Sequence, residues 1–128
     1  ILAGYSITTW IPRLTQASPD KSIAVLYFEN MSGDSNQDYF SNGITEEIIT
    51  NISKLKDLRV ISRNSVKVYN GQVLSIKQIA EELNVSSILE GSVRKSGNRV
   101  RITAQLIDAN TDEHVWAETF EEELHDIF

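Results

Sequence analysis

The sequence has 128 residues, of which 41% are hydrophobic and 23% are charged, a composition typical of one globular domain and not of a wholly disordered chain. A formal net charge of −6 argues against a dedicated nucleic-acid binder, which needs a broad basic face, although it permits a local basic patch. Because there is no cysteine, disulfides, thiolate nucleophiles and cysteine metal sites are excluded.

Residues 1–20 form an N-terminal segment that differs in pattern from the rest of the chain. The segment is apolar as far as Ile11, too short to span a bilayer that needs roughly 20 residues. Trp10, just before Pro12 and Arg13, fits the interfacial end of a transmembrane helix, and the alternative is a terminal extension that packs on the domain or frays. Polar residues and Pro19 then indicate a linker, so we expect the domain to occupy residues 21–128.

The domain pattern predicts strands and helices in alternation. SIAVLYF, residues 22–28, is a continuous apolar run that predicts a strand buried on both faces. Residues 37–55 have helical periodicity, a short strand is centred on Val60, and a second helix begins after Ser75 and ends at Asn84. Three strands follow from residue 88 onward. The predicted fold class is α/β, a mixed sheet of about five strands in the order β-α-β-α-β-β-β with helices packed on it.

The last three strands allow their pairing to be predicted. With Gly97-Asn98 as a two-residue turn, Ser96 faces Arg99, and apolar residues such as Val93 and Ile102 fall opposite each other on one face. Taking residues 110–111 as the next turn places Val115 opposite Leu106 and extends that apolar face. We therefore expect this face to pack against the helices.

The other face of these strands is the predicted interaction face. Arg94 stands opposite Arg101, and such a like-charge pair destabilises a sheet unless a neighbour such as Glu118 compensates. Three interpretations remain open: a half-solvated sheet face, a docking face for protein, and a small-anion or nucleic-acid site. The candidate residues are Arg94, Arg101, Gln105, His114, Trp116, Glu118 and Phe120.

Several long motifs resemble a known family. KSIAVLYFENMSGD, YFSNGITEEIITNISKLKDLRVISRNSV, IAEELNVSSILEGSVRKSGNRVRITAQLIDANTDEHVWAETF and HDIF, in this order, resemble the TolB-like domain, which is similar to the amino-terminal domain of TolB and to FlgO-type lipoproteins. The resemblance covers about residues 21–128. It implies a domain of bacterial adenylate cyclases, serine/threonine kinases and winged-helix regulators, placed between a transmembrane helix and tetratricopeptide repeats.

Catalytic chemistry finds little support in the sequence. The resemblance marks eight residues and implies structural or interaction roles for them: Gly43, Thr45, Glu46, Glu47, Glu90, Gly91, Ser92 and Trp116. His114 and His125 lack partners at zinc-ligand spacing, and no phosphate loop or nucleophile elbow is present. Residues 34–38 alternate oxygen ligands like a calcium loop, but Tyr39 stands where the turn glycine belongs, so we expect a helix cap instead. We expect no enzyme activity, metal or cofactor.

The resulting functional hypothesis is a non-catalytic sensory or protein-interaction module. It would couple an extracytoplasmic input to an attached effector in a membrane-anchored bacterial protein, with the domain itself in the periplasm. Expected partners are a second copy, neighbouring repeats or the effector domain, with membrane contact through an upstream helix and no nucleic acid. The alternative hypothesis is a regulatory domain of an adenylate or guanylate cyclase that binds a small ligand.

Overall fold

The computed structural model describes residues 21–124, so the predicted membrane-helix end, the linker and the last four residues lie outside the described part. The predicted strands and helices occur in the predicted order, with one additional two-residue strand and one additional short helix. The elements are β1 (Ser22–Val25), β2 (Glu29–Asn30), α1 (Asp38–Ile52), β3 (Arg59–Val60), α2 (Arg63–Lys67), α3 (Ile76–Leu83), β4 (Ser87–Ser96), β5 (Arg99–Asp108) and β6 (Glu113–Glu123), with a 3-10 helix at Ser35–Gln37.

The sheet is mixed, with the strand order β3-β1-β4-β5-β6 and the two-residue β2 beside the far part of β4. Strand β1 runs parallel to β3 and β4, whereas β5 and β6 continue the sheet in antiparallel pairing. All four residues of β1 are buried, because this strand lies between two others and is covered on both faces. The α/β class is therefore confirmed. Within residues 21–124, no helix combines the length and hydropathy that a membrane crossing requires.

Helix α1 buries one stripe of isoleucines, including Ile44, Ile48 and Ile52, at the four-residue spacing that keeps side chains on one face. The expected acidic cap is found on the 3-10 helix that precedes α1, where Asp34 Oδ1 accepts a hydrogen bond of 3.0 Å from the backbone N–H of Asn36. Helix α1 itself has no side-chain cap, although Asp38 places a carboxylate in its first turn. The backbone after β1 is tied to α1, since the N–H of Phe28 donates to Thr45 Oγ1 at 2.9 Å.

Helix α3 begins and ends at the predicted residues. Ser75 and Gln78 form a capping box, in which each side chain bonds the other residue's backbone N–H. Asn84 ends the helix in the left-handed conformation, at φ 55°. The short helix α2 was not predicted, because Val66 is its only buried residue and no periodicity marks it.

The predicted β4–β5 hairpin is confirmed, from Ser96 opposite Arg99 to Val93 opposite Ile102 and beyond. The predicted β5–β6 pairing is wrong beyond the first pairs. His114 does face Ile107, but a register shift then leaves Val115 without a partner and places Trp116 opposite Leu106. This shift is a β-bulge. Its one extra residue places every later side chain of β6 on the face opposite to the predicted one.

Strands β4 to β6 therefore have two faces of different character. The core face carries buried apolar residues such as Val93, Ile102 and Leu106. We call the opposite side the open face; from the register it comprises Ile88, Glu90, Ser92, Arg94, Ser96, Arg99, Arg101, Thr103, Gln105, Ile107, His114, Ala117, Thr119, Glu121 and Glu123.

Candidate interaction surface

The structure divides the predicted interaction residues between the two faces. Arg94, Arg101, Gln105 and His114 share the open face, as predicted. Trp116, Glu118 and Phe120 do not, because the bulge turns them to the core face; Phe120 is buried and Trp116 is partly buried against the core. Their predicted place on the interaction face is therefore corrected.

The salt-bridge partner of Arg101 is Glu121 and not the predicted Glu118. Both Nε and Nη2 of Arg101 donate to Glu121 Oε1, at 3.0 and 2.8 Å. These hydrogen bonds, together with the nearby positive charge, hold the pKa of Glu121 below its usual value. Since both side chains are about half exposed, at 51% and 48%, water screens the pair and its contribution to stability is small.

Three arginines converge at the hairpin end of the open face. Arg94 and Arg101 face each other across β4 and β5, and Arg99 follows on the same face. With Glu121 they border a shallow cavity of about 290 Å³. Within residues 21–124 Arg101 makes the ion pair with Glu121, whereas Arg94 and Arg99 make none. We call Arg94, Arg99 and Arg101 the arginine cluster. Its three guanidinium groups face two carboxylates, those of Glu121 and Glu123, so the cluster is locally positive on an acidic chain.

The opposite end of the open face is closed by helices α2 and α3. Glu90 lies beside a cavity of about 180 Å³ that apolar residues such as Val66, Ile76 and Ile79 border. Burial raises the pKa of Glu90, and its electrostatic interaction with His114 opposes the rise. The accessible part of the face therefore lies toward the arginine cluster.

Two residues of this surface were absent from the sequence-based candidates. Arg99 could have been found, because the correctly predicted hairpin register places it opposite Ser96 and on the side of Arg101. Glu121 could not, because its face depends on the bulge at Val115. Within the described part of the chain, no three histidine, aspartate or glutamate side chains gather into a metal site.

Comparison with known proteins identifies the family. Residues 19–127 match the family described as the second domain of HilA/YgeH-like transcriptional regulators. The chain belongs to this family. A curated relative from Rhizobium meliloti (strain 1021), named "Putative adenylate cyclase 3", is 54% identical over 107 residues, which make up 84% of this chain but 18% of that protein. The chain thus spans about a fifth of this relative.

Solved structures show the same fold at low sequence identity. Lipoprotein GNA1162 from Neisseria meningitidis has a TM-score of 0.64 at 17% identity, over 80% of each chain. TolB from Acinetobacter baumannii has a TM-score of 0.59 at 15% identity, over 86% of this chain and 25% of TolB. The resemblance to the TolB-like domain is therefore confirmed for the fold.

Proposed function

We propose that this chain is a non-catalytic accessory domain that controls an attached effector by binding an acidic segment of a protein partner at the arginine cluster. The observation that carries the proposal is the presence of two guanidinium groups, those of Arg94 and Arg99, that make no ion pair within residues 21–124 and lie on an exposed sheet face of a chain with net charge −6. Arginine binds carboxylates in a bidentate, directional way, so the cluster suits a defined acidic segment.

The comparisons support the accessory role. The chain is 54% identical over 107 residues to part of a protein named as a putative adenylate cyclase, and it also matches a family of transcriptional regulators; these are two effector classes with unrelated chemistry. A domain that accompanies both supplies something that both can use, such as an input signal or a docking surface. The arrangement with kinases and tetratricopeptide repeats, which the resemblance implied, belongs to this proposal as well.

We also propose that the domain works outside the cytoplasmic membrane. The support is the apolar segment up to Ile11, with Trp10 before Pro12 and Arg13, and the description of GNA1162 as a lipoprotein. Fusion of alkaline phosphatase behind this domain in the full-length protein tests the location, because that enzyme matures in an oxidising compartment. An inactive fusion that is present at normal amounts would place the domain in the cytoplasm.

Charge reversal within the full-length protein tests the docking proposal. Arg94→Glu with Arg99→Glu changes two exposed side chains that make no ion pair within residues 21–124. We expect effector output, either cyclic AMP synthesis or transcription, to lose its response to the partner. The matched control is Lys54→Glu with Lys56→Glu, which makes the same change of charge on the exposed loop after α1.

Each outcome of this comparison is decisive. Loss of response in the arginine variant alone supports the arginine cluster, whereas equal effects of the two variants would mean that only net charge matters. A normal response in both variants refutes the proposal. Light scattering of the isolated chain adds one distinction: a dimer that the arginine variant abolishes would identify a second copy as the partner.

A further inference from the structure

A second cavity, remote from the arginine cluster, opens next to the end of β1. It has a volume of about 540 Å³ and three walls: residues 27–30 after β1, the first turns of α1 around Asp38 and Ser41, and the turn at residues 70–72. The volume lies within the range of small-molecule sites, roughly 300–1,000 Å³. The cavity is therefore large enough for a ligand of the size of a sugar.

The position of this cavity follows from the topology of the sheet. From β1 the chain passes through α1 to β3 on one side, and it later returns through α2 and α3 to β4 on the other side. Both neighbours are parallel to β1, so its carboxyl end is the point at which the strand order reverses. Open α/β sheets bind their ligands in the crevice at such a point.

Ser41 supplies an independent sign of a ligand. This cavity-lining residue is only 1% exposed, and its Oγ has no hydrogen-bond partner in the described part of the chain. Buried hydroxyl groups are normally bonded, because a hydroxyl that loses water without gaining a partner destabilises the fold. The side-chain amides of Asn42 and Asn70, also on the wall, make no hydrogen bond within residues 21–124.

The charge and polarity of the wall limit the chemistry of the ligand. Glu29 and Asp38 contribute carboxylates, and no lysine or arginine is among the described residues that line the cavity. Anions such as phosphates would be repelled. The hydroxyl and amide groups of the wall can each donate and accept hydrogen bonds, which a ligand rich in hydroxyl groups matches, whereas an ammonium cation only donates them. Tyr27, which is only partly buried, adds aromatic surface on which a sugar ring can rest.

We propose that this cavity binds a neutral polyhydroxylated small molecule, a mono- or disaccharide, with Ser41 Oγ, Asn42 and Asn70 as direct hydrogen-bonding groups. The inference goes beyond the proposed docking role and is independent of the arginine cluster. Under this proposal, the sugar is the signal that the domain receives. A bound ligand would contact α1 at Ser41 and the segment of Phe28, which is bonded to Thr45 of α1 and covers β4 at Gly91.

Nuclear magnetic resonance titration of the ¹⁵N-labelled chain tests the proposal. The probes are glucose, N-acetylglucosamine and maltose, with inorganic phosphate and spermidine as charged comparators. We expect at least one sugar to shift the amide signals of residues 27–30, 38–42 and 70–72 in a saturable way, and we expect neither charged probe to do so. Ser41→Ala and Asn70→Ala should each weaken the sugar about two- to tenfold, as expected for loss of one neutral hydrogen bond.

Two further features make the titration conclusive. Asn70 lies on an exposed turn, so its variant stays informative if Ser41→Ala changes the packing of α1. Ser96→Ala, at the edge of the arginine cluster, is the matched control and should bind like the wild type. The proposal is overturned if no sugar shifts these signals, if phosphate or spermidine shifts them alone, or if the variants at both positions bind sugar as the wild type does.

Discussion

Replacement of Gly91 by alanine is the sharpest test of the packing between strands β4 and β5 and the segment that follows β1. A Cβ atom at this position would lie 2.0 Å from the backbone oxygen of Thr103 and 2.8 Å from Cε2 of Phe28. Neither neighbour can move easily. Thr103 belongs to β5, which is paired on both sides, and Phe28 is held through its N–H by Thr45.

The size of the effect follows from these contacts. Overpacking of a core costs about 1–3 kcal/mol, and the upper end applies here because a backbone atom of a central strand must shift. We therefore expect Gly91→Ala to lower the free energy of unfolding by about 3 kcal/mol, a large part of the roughly 5–15 kcal/mol of a typical domain. For a domain of this size the melting temperature should fall by roughly 10–15 °C.

Gly43→Ala is the matched control, since the same methyl group there meets nothing within 4 Å on an exposed part of α1. Alanine favours the helix over glycine, so this variant should be more stable by about 0.5–1 kcal/mol. Urea unfolding followed by far-ultraviolet circular dichroism measures both variants. If Gly91→Ala unfolds within about 0.5 kcal/mol of the wild type, the close approach of Phe28 and β5 to Gly91 is refuted.

Three further predictions concern local interactions. Ser75→Ala should lower the free energy of unfolding by about 1 kcal/mol through loss of the helix cap, and Ser75→Thr should retain most of it in the same urea assay. Arg94→Glu should raise the free energy of unfolding by about 0.2–1 kcal/mol, because the like-charge pair with Arg101 becomes an opposite-charge pair. A gain in stability that persists in high salt would contradict this reason. Glu90→Gln should stabilise the fold at neutral pH, because burial raises the pKa of the folded carboxyl group and its ionised form is therefore disfavoured. The gain should shrink as the pH falls toward the unfolded pKa of glutamate, and unfolding curves across pH that show a constant difference would argue against it.

The contrast between the two hairpins shows what the sequence could predict. The first register was correct because Gly97, at φ 59°, fits a tight turn whose position fixes every following pair. In the second hairpin the pairs next to the turn were also correct, down to His114 opposite Ile107. Alternation alone cannot reveal the bulge that follows. The larger size of Trp116 and Phe120 compared with Val115 was the available signal that the core lies on their side.

The sugar-sized cavity could not have been predicted from the sequence. Its walls come from three segments that are separated along the chain, and none of them has a local motif. What brings them together is the order of the parallel strands, which the periodicity of single segments does not determine. The arginine cluster is the opposite case, since it comes from one hairpin and its residues follow from one turn.

Stability measurements on Ser41→Ala distinguish a ligand-binding role of the Ser41 hydroxyl group from imperfect packing. Ser41→Ala removes a buried hydroxyl group without a partner in the described residues and improves helix propensity, so we expect the free energy of unfolding to rise by about 1 kcal/mol. A hydroxyl that destabilises the fold is understandable if a ligand needs it, because binding sites often reduce stability. If sugar stabilises the wild type against heat more than it stabilises the variant, Ser41 belongs to a binding site. Equal thermal shifts, together with the more stable variant, would show that its hydroxyl is a packing defect and that the cavity holds its ligand by other groups.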